Sequence, residues 1–544
     1  MSQAERIVTE KDPSPAAPAL PRAYLAPLAI AAAFVGSIYA VRPIARRAVR
    51  EVFDGQAFPW LHSLIRRPDA GSLDAYSARA DLYVVRLALV SLLAGLAIWG
   101  AFNARRVIAV FRRYFDEKGS PIDLAVFRMV LFGALFLCAK PATIDLYAGL
   151  PHELLTPPVG FRSIVRLFPV EPVLAAHTTL VLRAACLFAI FGLFTRSAAL
   201  IASLSAVYVL GIPQCFGQVD HYHSLVWCSF LLALSRCGDA LSVDALWRRY
   251  RGGPAAPETS VTYARPIRWI WLLMGVIYFF PGFWKLWISG NAWFFGDALV
   301  SHMRMKWLEL RWIPAVRLDH LPWLARAAGL TAVAFELSFI PLVIHRRTRP
   351  IAAVAGLVFH NLSNLLMGIS FAWLQAMYVS FLPVSRWVSH FLDQRPASAG
   401  PPDSSAGQTR FLNLAGGLLV TGNVIMGMLM IEQGWPIACF PAFARMGRLQ
   451  ATVLEFSAVS ESGAITPIDT WPLIQALGTE RWMPMVRRAR REASVSALAR
   501  WVASHTPEAR NAAAIAVYRV TWSSDPDRRV HGPLSRELVA VVRR

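Results

Sequence analysis

Residues 325–368 read ARAAGLTAVAFELSFIPLVIHRRTRPIAAVAGLVFHNLSNLLMG, in which the basic segment HRRTR separates two long apolar runs. An α-helix needs about twenty apolar residues to cross the roughly 30 Å hydrocarbon core of a bilayer. The runs 325–344 and 350–368 are both long enough to do so. Because arginines beside transmembrane helices concentrate on the cytoplasmic side, HRRTR at 345–349 predicts a short cytoplasmic loop between two such helices.

The rest of the chain repeats this pattern. Apolar residues make up 56% of the 544 residues and charged residues only 16%, so the chain cannot cover its surface with polar groups in water. Open sheets would leave unpaired backbone groups in lipid, so helices are the default spanning structure. We therefore predict an all-α polytopic membrane protein with about ten or eleven transmembrane helices, multi-pass in the cell membrane. The other predicted spans lie near 24–41, 84–103, 123–141, 178–195, 197–214, 222–236, 267–284, 371–387 and 411–431.

The formal net charge of +21 comes mainly from arginines that flank the apolar runs. A positive-inside topology requires such clusters, so we expect contact with membrane lipid and no nucleic-acid partner. The clusters within 105–113, 248–265 and 345–349 fall on one side of the predicted helices, which we assign to the cytoplasm. The arginines at 42–50 would then lie outside, so the orientation of the first helix stays open.

Composition divides the chain into three parts. Residues 1–22 are polar and proline-rich and are predicted to be a disordered cytoplasmic tail. Residues 23–432 form the predicted transmembrane helical domain, in which the Pro-, Gly- and Ser-rich segment 393–410 is a linker.

The third part, residues 433–544, changes character. The segments 452–460 and 513–522 have strand-like patterns, and the arginine-rich segment 479–503 between them has the pattern of an amphipathic helix. These patterns predict a small α+β domain, which the topology places outside the cytoplasm. The six cysteines of the chain have no paired spacing, so we expect no structural disulfide.

Ionisable residues within the apolar runs point to a site, because each costs roughly 2.5–3.5 kcal/mol to insert. In the predicted topology several polar residues gather in the outer half of the membrane, which predicts a polar cavity open to the outer leaflet. These residues are Lys140, Asp220, His221, His223, Lys285, His360 and Asn364. Glu336 lies near the middle of its helix, and we expect it to pair with an arginine of a neighbouring helix.

Two short segments concentrate these groups. DHYHS at 220–224 places His221 and His223 beside Asp220, which suits proton transfer or metal binding, although a helix start with Asp220 near the N-cap explains the segment equally well. No third ligand is apparent, so we predict no metal site. FHNLSNLL at 359–366 places His360 and Asn364 on one helical face, where an interhelical hydrogen bond is the structural alternative.

Several segments, taken in order, resemble the HTTM family, whose namesake activity is vitamin K-dependent γ-carboxylation. The resemblance covers roughly 123–390. It rests on GLFTRSAAL at 192–200, DHYHSL at 220–225, GDALSVDAL at 238–246, YFFPGFWKLWISGNAWFFGDAL at 278–299, ELSFIPLVIHRRTRP at 336–350 and FHNLSNLLMGISFAW at 359–373.

The resemblance implies a membrane-embedded helical fold with an externally facing site and a trailing extracytoplasmic domain. In true carboxylases, a lysine shortly before the segment equivalent to DHYHS is linked to deprotonation of vitamin K hydroquinone. This chain has no lysine between Lys140 and Lys285, and an ungapped placement puts Cys215 at that position. A lone cysteine in apolar surroundings is a poor base, which argues against carboxylation of glutamate.

The sequence leaves two functions open. The first is a carboxylase- or oxidoreductase-like enzyme that acts on a quinone or lipid at the outer leaflet. The second is a non-catalytic membrane protein that binds lipid or a protein partner, or a transporter, although the inverted repeats of a transporter are not evident. In the enzyme hypothesis the catalytic candidates are His221, His223, Lys285 and His360, and the substrate-binding candidates are Asp220, Asn364, Lys140 and Glu336.

Overall fold

The computed structural model describes residues 25–65, 71–220, 222–392, 406–438, 443–489 and 491–543. The predicted tail at 1–22, His221 and most of the predicted linker therefore lie outside the described residues. The chain divides into two compact units, Met1–Ile108 and Ala109–Arg544.

The first unit is built on two long helices. It contains α1 (Leu25–Phe53), α2 (Pro59–Ile65) and α3 (Leu73–Phe102), and α1 packs along α3. Arg42 and Arg46 of α1 donate to the buried carboxylate of Asp81 in α3, at 3.0 and 2.5 Å. Two of the arginines that contradict the positive-inside pattern are thus paired with a single acid in the next long helix.

The second unit consists of a helical bundle followed by a small sheet. The helices after α3 are α4 (Ala104–Asp116), α5 (Pro121–Cys138), α6 (Pro141–Ala148), α7 (Arg162–Leu167), α8 (Pro172–Phe191), α9 (Thr195–Val209), α10 (His223–Ala233), α11 (Val243–Tyr250), α12 (Val261–Ser289), α13 (Ala292–Phe295), α14 (Ala298–Glu309), α15 (Pro322–Ile344), α16 (Arg349–Met367), α17 (Ala372–Ala376), α18 (Val384–Leu392) and α19 (Ala406–Met428). Short 3₁₀ turns lie at His152–Leu154, Pro213–Cys215, Leu318–His320 and Met377–Phe381.

Nine helices in the described part of the chain are long and apolar enough to cross a bilayer. They are α1, α3, α5, α8, α9 with the turn that follows it, α12, α15, α16 and α19. The prediction of an all-α polytopic membrane protein is confirmed, while the cell membrane as its location stays a prediction.

Two of the predicted spans take another form. The run 222–236 gives only the eleven-residue helix α10, whose side chains are nearly all buried within the protein. The run 371–387 is divided into α17, a 3₁₀ turn and α18. Pro383 explains the break, because proline cannot donate a helical hydrogen bond and holds Leu382 extended, at φ −80° and ψ 124°.

The bundle has two ends that matter for function. At the sheet end, α9, α16 and α19 finish and α10 begins, close to the C-terminal sheet. At the opposite end, which we call the arginine end, α5, α12 and α16 begin. Helix α12 runs between the two ends and packs against α15 and α19.

The C-terminal sheet has four antiparallel strands in the order β2-β1-β3-β4. Phe456 pairs with Val517 in the central ladder, and both pack with Trp482, Leu498 and Val502 in the core beneath the sheet. The strands are β1 (Gln450–Val459), β2 (Ile465–Pro467), β3 (Ala514–Ser523) and β4 (Ser535–Arg543), and the helices are α20 (Trp471–Leu477), α21 (Thr479–Arg488), α22 (Glu492–His505) and α23 (Pro526–Arg529).

The small α+β segment is confirmed with three differences in detail. The two predicted strands are β1 and β3, within two residues at each end. The predicted helix at 479–503 is two helices, α21 and α22. The short strand β2 and the last strand β4 were not predicted, because both are edge strands with mostly exposed side chains and so lack an apolar alternation.

Candidate functional site

A cavity of about 630 Å³ lies between the sheet end of the helical bundle and the C-terminal α+β segment. We call it the C-domain cavity. One part of its wall is apolar and consists of Met305, Ile369, Phe371, Trp373, Leu374 and Met430. The other part carries acidic, basic and imidazole groups from Asp220, His302, Lys306, Glu309, Glu480 and Arg487. A cavity with this lining can hold a molecule that has both an apolar and a polar part.

Asp220 forms one corner of the cavity together with the start of α21. The backbone amide of Asp220 donates to Gln214 Oε1 at 2.7 Å, and Arg481 Nη1 donates to the same oxygen at 2.9 Å. Arg481 is buried, and its Nη2 lies 3.7 Å from Asp220 Oδ2. The glutamine and the arginine together fix the position of Asp220 at the cavity wall.

Glu480 adds a second carboxyl group to this corner. Burial raises the pKa of Glu480, and the negative charge of nearby Asp220 raises it further. Two carboxyl groups whose environments differ in this way can divide the roles of acid and base. The sequence analysis missed Glu480 and Arg481, because ionisable residues are ordinary in an amphipathic helix outside the membrane.

His302 of α14 forms another part of the wall and was also missed. Its Nε2 lies 2.6 Å from the Arg445 carbonyl oxygen, and its ring stacks on Trp293 with 5.7 Å between the ring centres. Burial lowers the pKa of His302 to about 4, although the hydrogen bond to Arg445 opposes the shift. The ring is therefore neutral at pH 7, and Nε2 is the ring nitrogen that faces the Arg445 carbonyl.

Lys285 and Glu336 form a buried ion pair behind this wall. Their side chains are only 3% and 4% exposed, and Lys285 Nζ donates to Glu336 Oε1. The ammonium group also lies 4.9 Å from the ring centre of Trp293, which stacks on His302. The expected arginine partner of Glu336 is thus a lysine, and the Trp293 ring lies between the ammonium group of this pair and His302, which lines the cavity.

His360 belongs to a second buried group on the same helices. Its Nε2 lies 2.6 Å from Tyr278 Oη, which lies 2.7 Å from Tyr378 Oη. The ring centre of His360 is 5.0 Å from that of Phe371, whose side chain lines the cavity. Tyr278 and Lys285 are seven residues apart on α12 and so share one face, which places both polar groups behind the cavity wall.

The other predicted site residues lie elsewhere. His223 is buried between Trp227 and Trp435, with ring centres 5.4 and 5.3 Å away. Lys140 is exposed at the start of α6, and Asn364 is exposed on α16, so neither lines the cavity. Asn364 is exposed although it is four residues from His360 on α16, so the shared helical face does not bring both side chains to one site. No three His, Cys, Asp or Glu side chains gather as metal ligands in the part of the chain that the structure describes.

Two of the segments that carry the family resemblance are structural. The Asp244 carboxylate accepts hydrogen bonds from the Phe194 amide at 2.9 Å, the Thr195 amide at 2.7 Å and Thr195 Oγ1 at 2.6 Å. GLFTRSAAL and GDALSVDAL are therefore joined at the start of α9. The buried guanidinium of Arg128 extends this junction by donating to the Cys237 and Leu241 carbonyl groups at 2.6 and 2.5 Å.

The comparison with protein families identifies this helical unit. The family model of the HTTM domain matches residues 117–387. These residues are an HTTM domain. This confirms the resemblance, and the matched residues agree with the predicted core at about 123–390. No curated protein and no solved structure gives a match.

The HTTM domain supplies only part of the C-domain cavity. Asp220, Lys285, His302, Glu336 and His360 lie within the matched residues. The corner formed by residues 480–481 lies outside them, in the C-terminal segment. The cavity is thus completed by residues that the family match does not include.

Proposed function

We propose that this HTTM protein binds an amphiphilic small molecule of the quinone or lipid class in the C-domain cavity and performs acid–base chemistry on its polar part. The observation that carries the proposal is the mixed lining of the cavity, in which apolar and aromatic side chains occur together with carboxylate, basic and imidazole groups. Its volume of about 630 Å³ suits a single small-molecule ligand.

The apolar side suits a ring or the first part of an acyl chain. Phe371 and Trp373 offer flat aromatic faces, and Met305 and Met430 offer adaptable thioether side chains. Phe371 and Trp373 follow α16, and Met430 follows α19, and both helices are long and apolar enough to cross the bilayer, so this part of the lining lies close to the membrane-spanning helices. A strictly water-soluble substrate would have no use for this surface.

The polar side suits proton transfer to or from the head of such a molecule. The raised pKa of Glu480 brings this carboxyl closer to neutral pH, where general acid–base catalysis is most efficient, while Asp220 stays paired with Arg481. We assign proton transfer to Glu480 and Asp220, and hydrogen bonding of the head to His302. Lys285 and His360, two of the residues first proposed as catalytic, then hold the cavity wall from behind.

A second function, binding without chemistry, is favoured by the surroundings of the first candidates. Lys285 is paired with Glu336, and His223 is enclosed by two tryptophan rings, so neither of these acid–base groups lines the cavity. Under this alternative the carboxyl corner orients the ligand, and a ligand-handling protein partner performs any reaction.

The test is mass spectrometry of quinones and lipids that co-purify with the full-length protein in two different detergents. Met305→Trp fills the apolar side of the cavity, and Met129→Trp on an exposed face of α5 is the matched control. We expect a stoichiometric quinone or lipid with the wild type and the control, and its loss from Met305→Trp. An empty wild-type protein, or full retention in Met305→Trp, would contradict the proposed site.

Glu480→Gln then separates chemistry from binding. If Glu480 transfers a proton, the variant retains the molecule but no longer converts it, whereas the wild type accumulates its product in membranes. Equal conversion by both proteins would refute the catalytic part and leave the alternative of binding alone.

A further inference from the structure

A second cavity, of about 820 Å³, lies at the arginine end of the bundle, where α5, α12 and α16 begin. We call it the arginine cavity. The basic side chains that line it outnumber the acidic ones, so the cavity is electropositive. The basic residues are Lys118, Arg268, Arg346, Arg349 and Arg386, and the acidic ones are Glu117 and Asp123.

Two of these arginines are buried and are held by hydrogen bonds within the protein. Arg268 and Arg349 are only 7% and 8% exposed. Both share the Glu117 carboxylate, which Arg268 contacts at 2.7 Å and Arg349 at 2.6 and 3.0 Å. One carboxylate thus serves two buried guanidinium groups. Moreover, Arg268 Nε is buried and has no hydrogen-bond acceptor among the described residues.

An aromatic platform holds the two guanidinium groups in place. They lie 4.4 and 5.2 Å from the ring centre of Trp271. The Trp271 ring stacks on Phe381 at 4.4 Å, and its Nε1 donates to Ser380 Oγ at 2.8 Å. Because these side chains are already held in place, they lose little conformational entropy when an anion binds. Mobile surface lysines would lose more.

The remaining charges do not balance the excess. Asp123 is engaged by Ser385, whose amide and hydroxyl donate to it at 2.7 and 3.0 Å. Lys118 and Arg346 are exposed at the mouth of the cavity, and neither forms an ion pair within the described residues. The site therefore has positive charge available for a ligand.

One wall of the cavity is apolar and faces outward. Val354 and Leu357 of α16 and Leu382 beside it line the cavity, and their side chains are 62%, 38% and 42% exposed. Helix α16 is long and apolar enough to cross the bilayer, so this wall faces acyl chains. An electropositive pocket that opens onto such a wall fits an anion with hydrocarbon chains attached.

We propose that the arginine cavity binds an anionic phospholipid, with its phosphate against Arg268 and Arg346 and its acyl chains along α16. Guanidinium groups pair with phosphate oxygens through two parallel hydrogen bonds, which lysines cannot do. The positive-inside rule assigns this end to the cytoplasmic leaflet, where anionic lipids attract basic pockets between helices. The apolar wall selects a lipid over free phosphate.

The test is native mass spectrometry of the detergent-solubilised full-length protein titrated with phosphatidylglycerol or phosphatidylcholine. Lys118→Ala/Arg346→Ala removes the two charges at the mouth without touching the buried pair. Arg113→Ala/Arg347→Ala is the matched control, since it removes equal charge from exposed neighbouring positions that do not line the cavity.

We expect the wild type to prefer phosphatidylglycerol. Loss of one cation near an anionic headgroup weakens binding roughly fivefold, so the double variant in the cavity should bind roughly 25-fold more weakly. The control should stay within roughly twofold of the wild type if only the cavity is responsible. Equal weakening by both double variants would overturn the proposal, as would equal affinity for phosphatidylcholine. Displacement of the lipid by excess inorganic phosphate would show a soluble-anion site and overturn it too.

Discussion

Replacing Lys285 alone should destabilise the protein far more than replacing Lys285 and Glu336 together. The two side chains are 3% and 4% exposed and neutralise each other. Lys285→Met leaves a carboxylate buried without its counter-ion, which costs about 3–5 kcal/mol of unfolding free energy. Lys285→Met/Glu336→Leu removes both charges and keeps the volume, and such exchanges are neutral or stabilise by up to about 1–4 kcal/mol. The expected coupling energy between the two positions is therefore at least about 3 kcal/mol.

The assay is a double-mutant cycle on the purified protein in mixed micelles. Unfolding free energies from titration with dodecyl sulfate are measured for the wild type, both single variants and the double variant. The control cycle uses the exposed pair of Arg47 and Glu51, which lie 3.0 Å apart with side chains 84% and 40% exposed. That pair should couple by only about 0.2–1 kcal/mol. A coupling energy for the buried pair no larger than that of the control would refute the reasoning.

The same double variant separates stability from ligand binding. Lys285 touches Trp293, which stacks on His302 at the C-domain cavity. If the ion pair only supports the fold, a stable Lys285→Met/Glu336→Leu protein will retain the co-purified molecule. If the ammonium group also acts on the cavity through Trp293, the stable variant will lose that molecule.

Two other predictions concern single residues. Burial lowers the pKa of His302 to about 4, below its value near 6.5 in the unfolded chain, so its contribution to stability is fully present above pH 6.5 and is lost as the pH falls toward 4. Between pH 7 and pH 5 the unfolding free energy of the wild type should therefore fall by about 2 kcal/mol through His302. In His302→Gln, unfolding titrations at the two pH values should no longer show this difference. An unchanged pH dependence in the variant would contradict the assignment. Asp244→Ala removes three hydrogen bonds at the start of α9 and should cost about 0.5–2 kcal/mol. The exposed Asp145→Ala is its control, and equal unfolding midpoints for the two variants would show that Asp244 does not cap α9.

Most of the membrane fold follows from the sequence, because long apolar runs have few stable solutions outside lipid. The runs at 222–236 and 371–387 show where this reasoning ends. An apolar run indicates only that its side chains are buried away from water. The side chains of α10 are buried inside the protein instead of in the bilayer. In the second run, Pro383 indicates a break in the helix, but a prediction based on the average apolarity of the run does not take a single proline into account.

Among the predicted site residues that the structure describes, only Asp220 lines the C-domain cavity, and Lys285, Glu336 and His360 lie behind its wall. Asp220, Lys285, Glu336 and His360 stood out because charged or polar groups are costly in or beside apolar runs. His302 and residues 480–481 gave no such signal, since they lie in α14 and α21, where charged residues are common. They join the site only because these helices fold over the ends of the spanning helices, and no sequence pattern in the chain specifies that packing.

The distribution of charge supports the two proposed ligand sites. Inside the bundle, Lys285 pairs with Glu336, and Arg128 binds backbone carbonyl groups, so these deep charges are engaged by the protein itself. Charged groups also line the two cavities near the ends of the bundle, at the carboxyl corner of the C-domain cavity and at the arginine cavity. All residues that line the arginine cavity lie within the HTTM match at 117–387, whereas the carboxyl corner needs residues 480–481 from outside it. We infer that the HTTM domain alone can provide the lipid contact of the arginine cavity, and that the chemistry of the C-domain cavity depends on the segment that follows the domain.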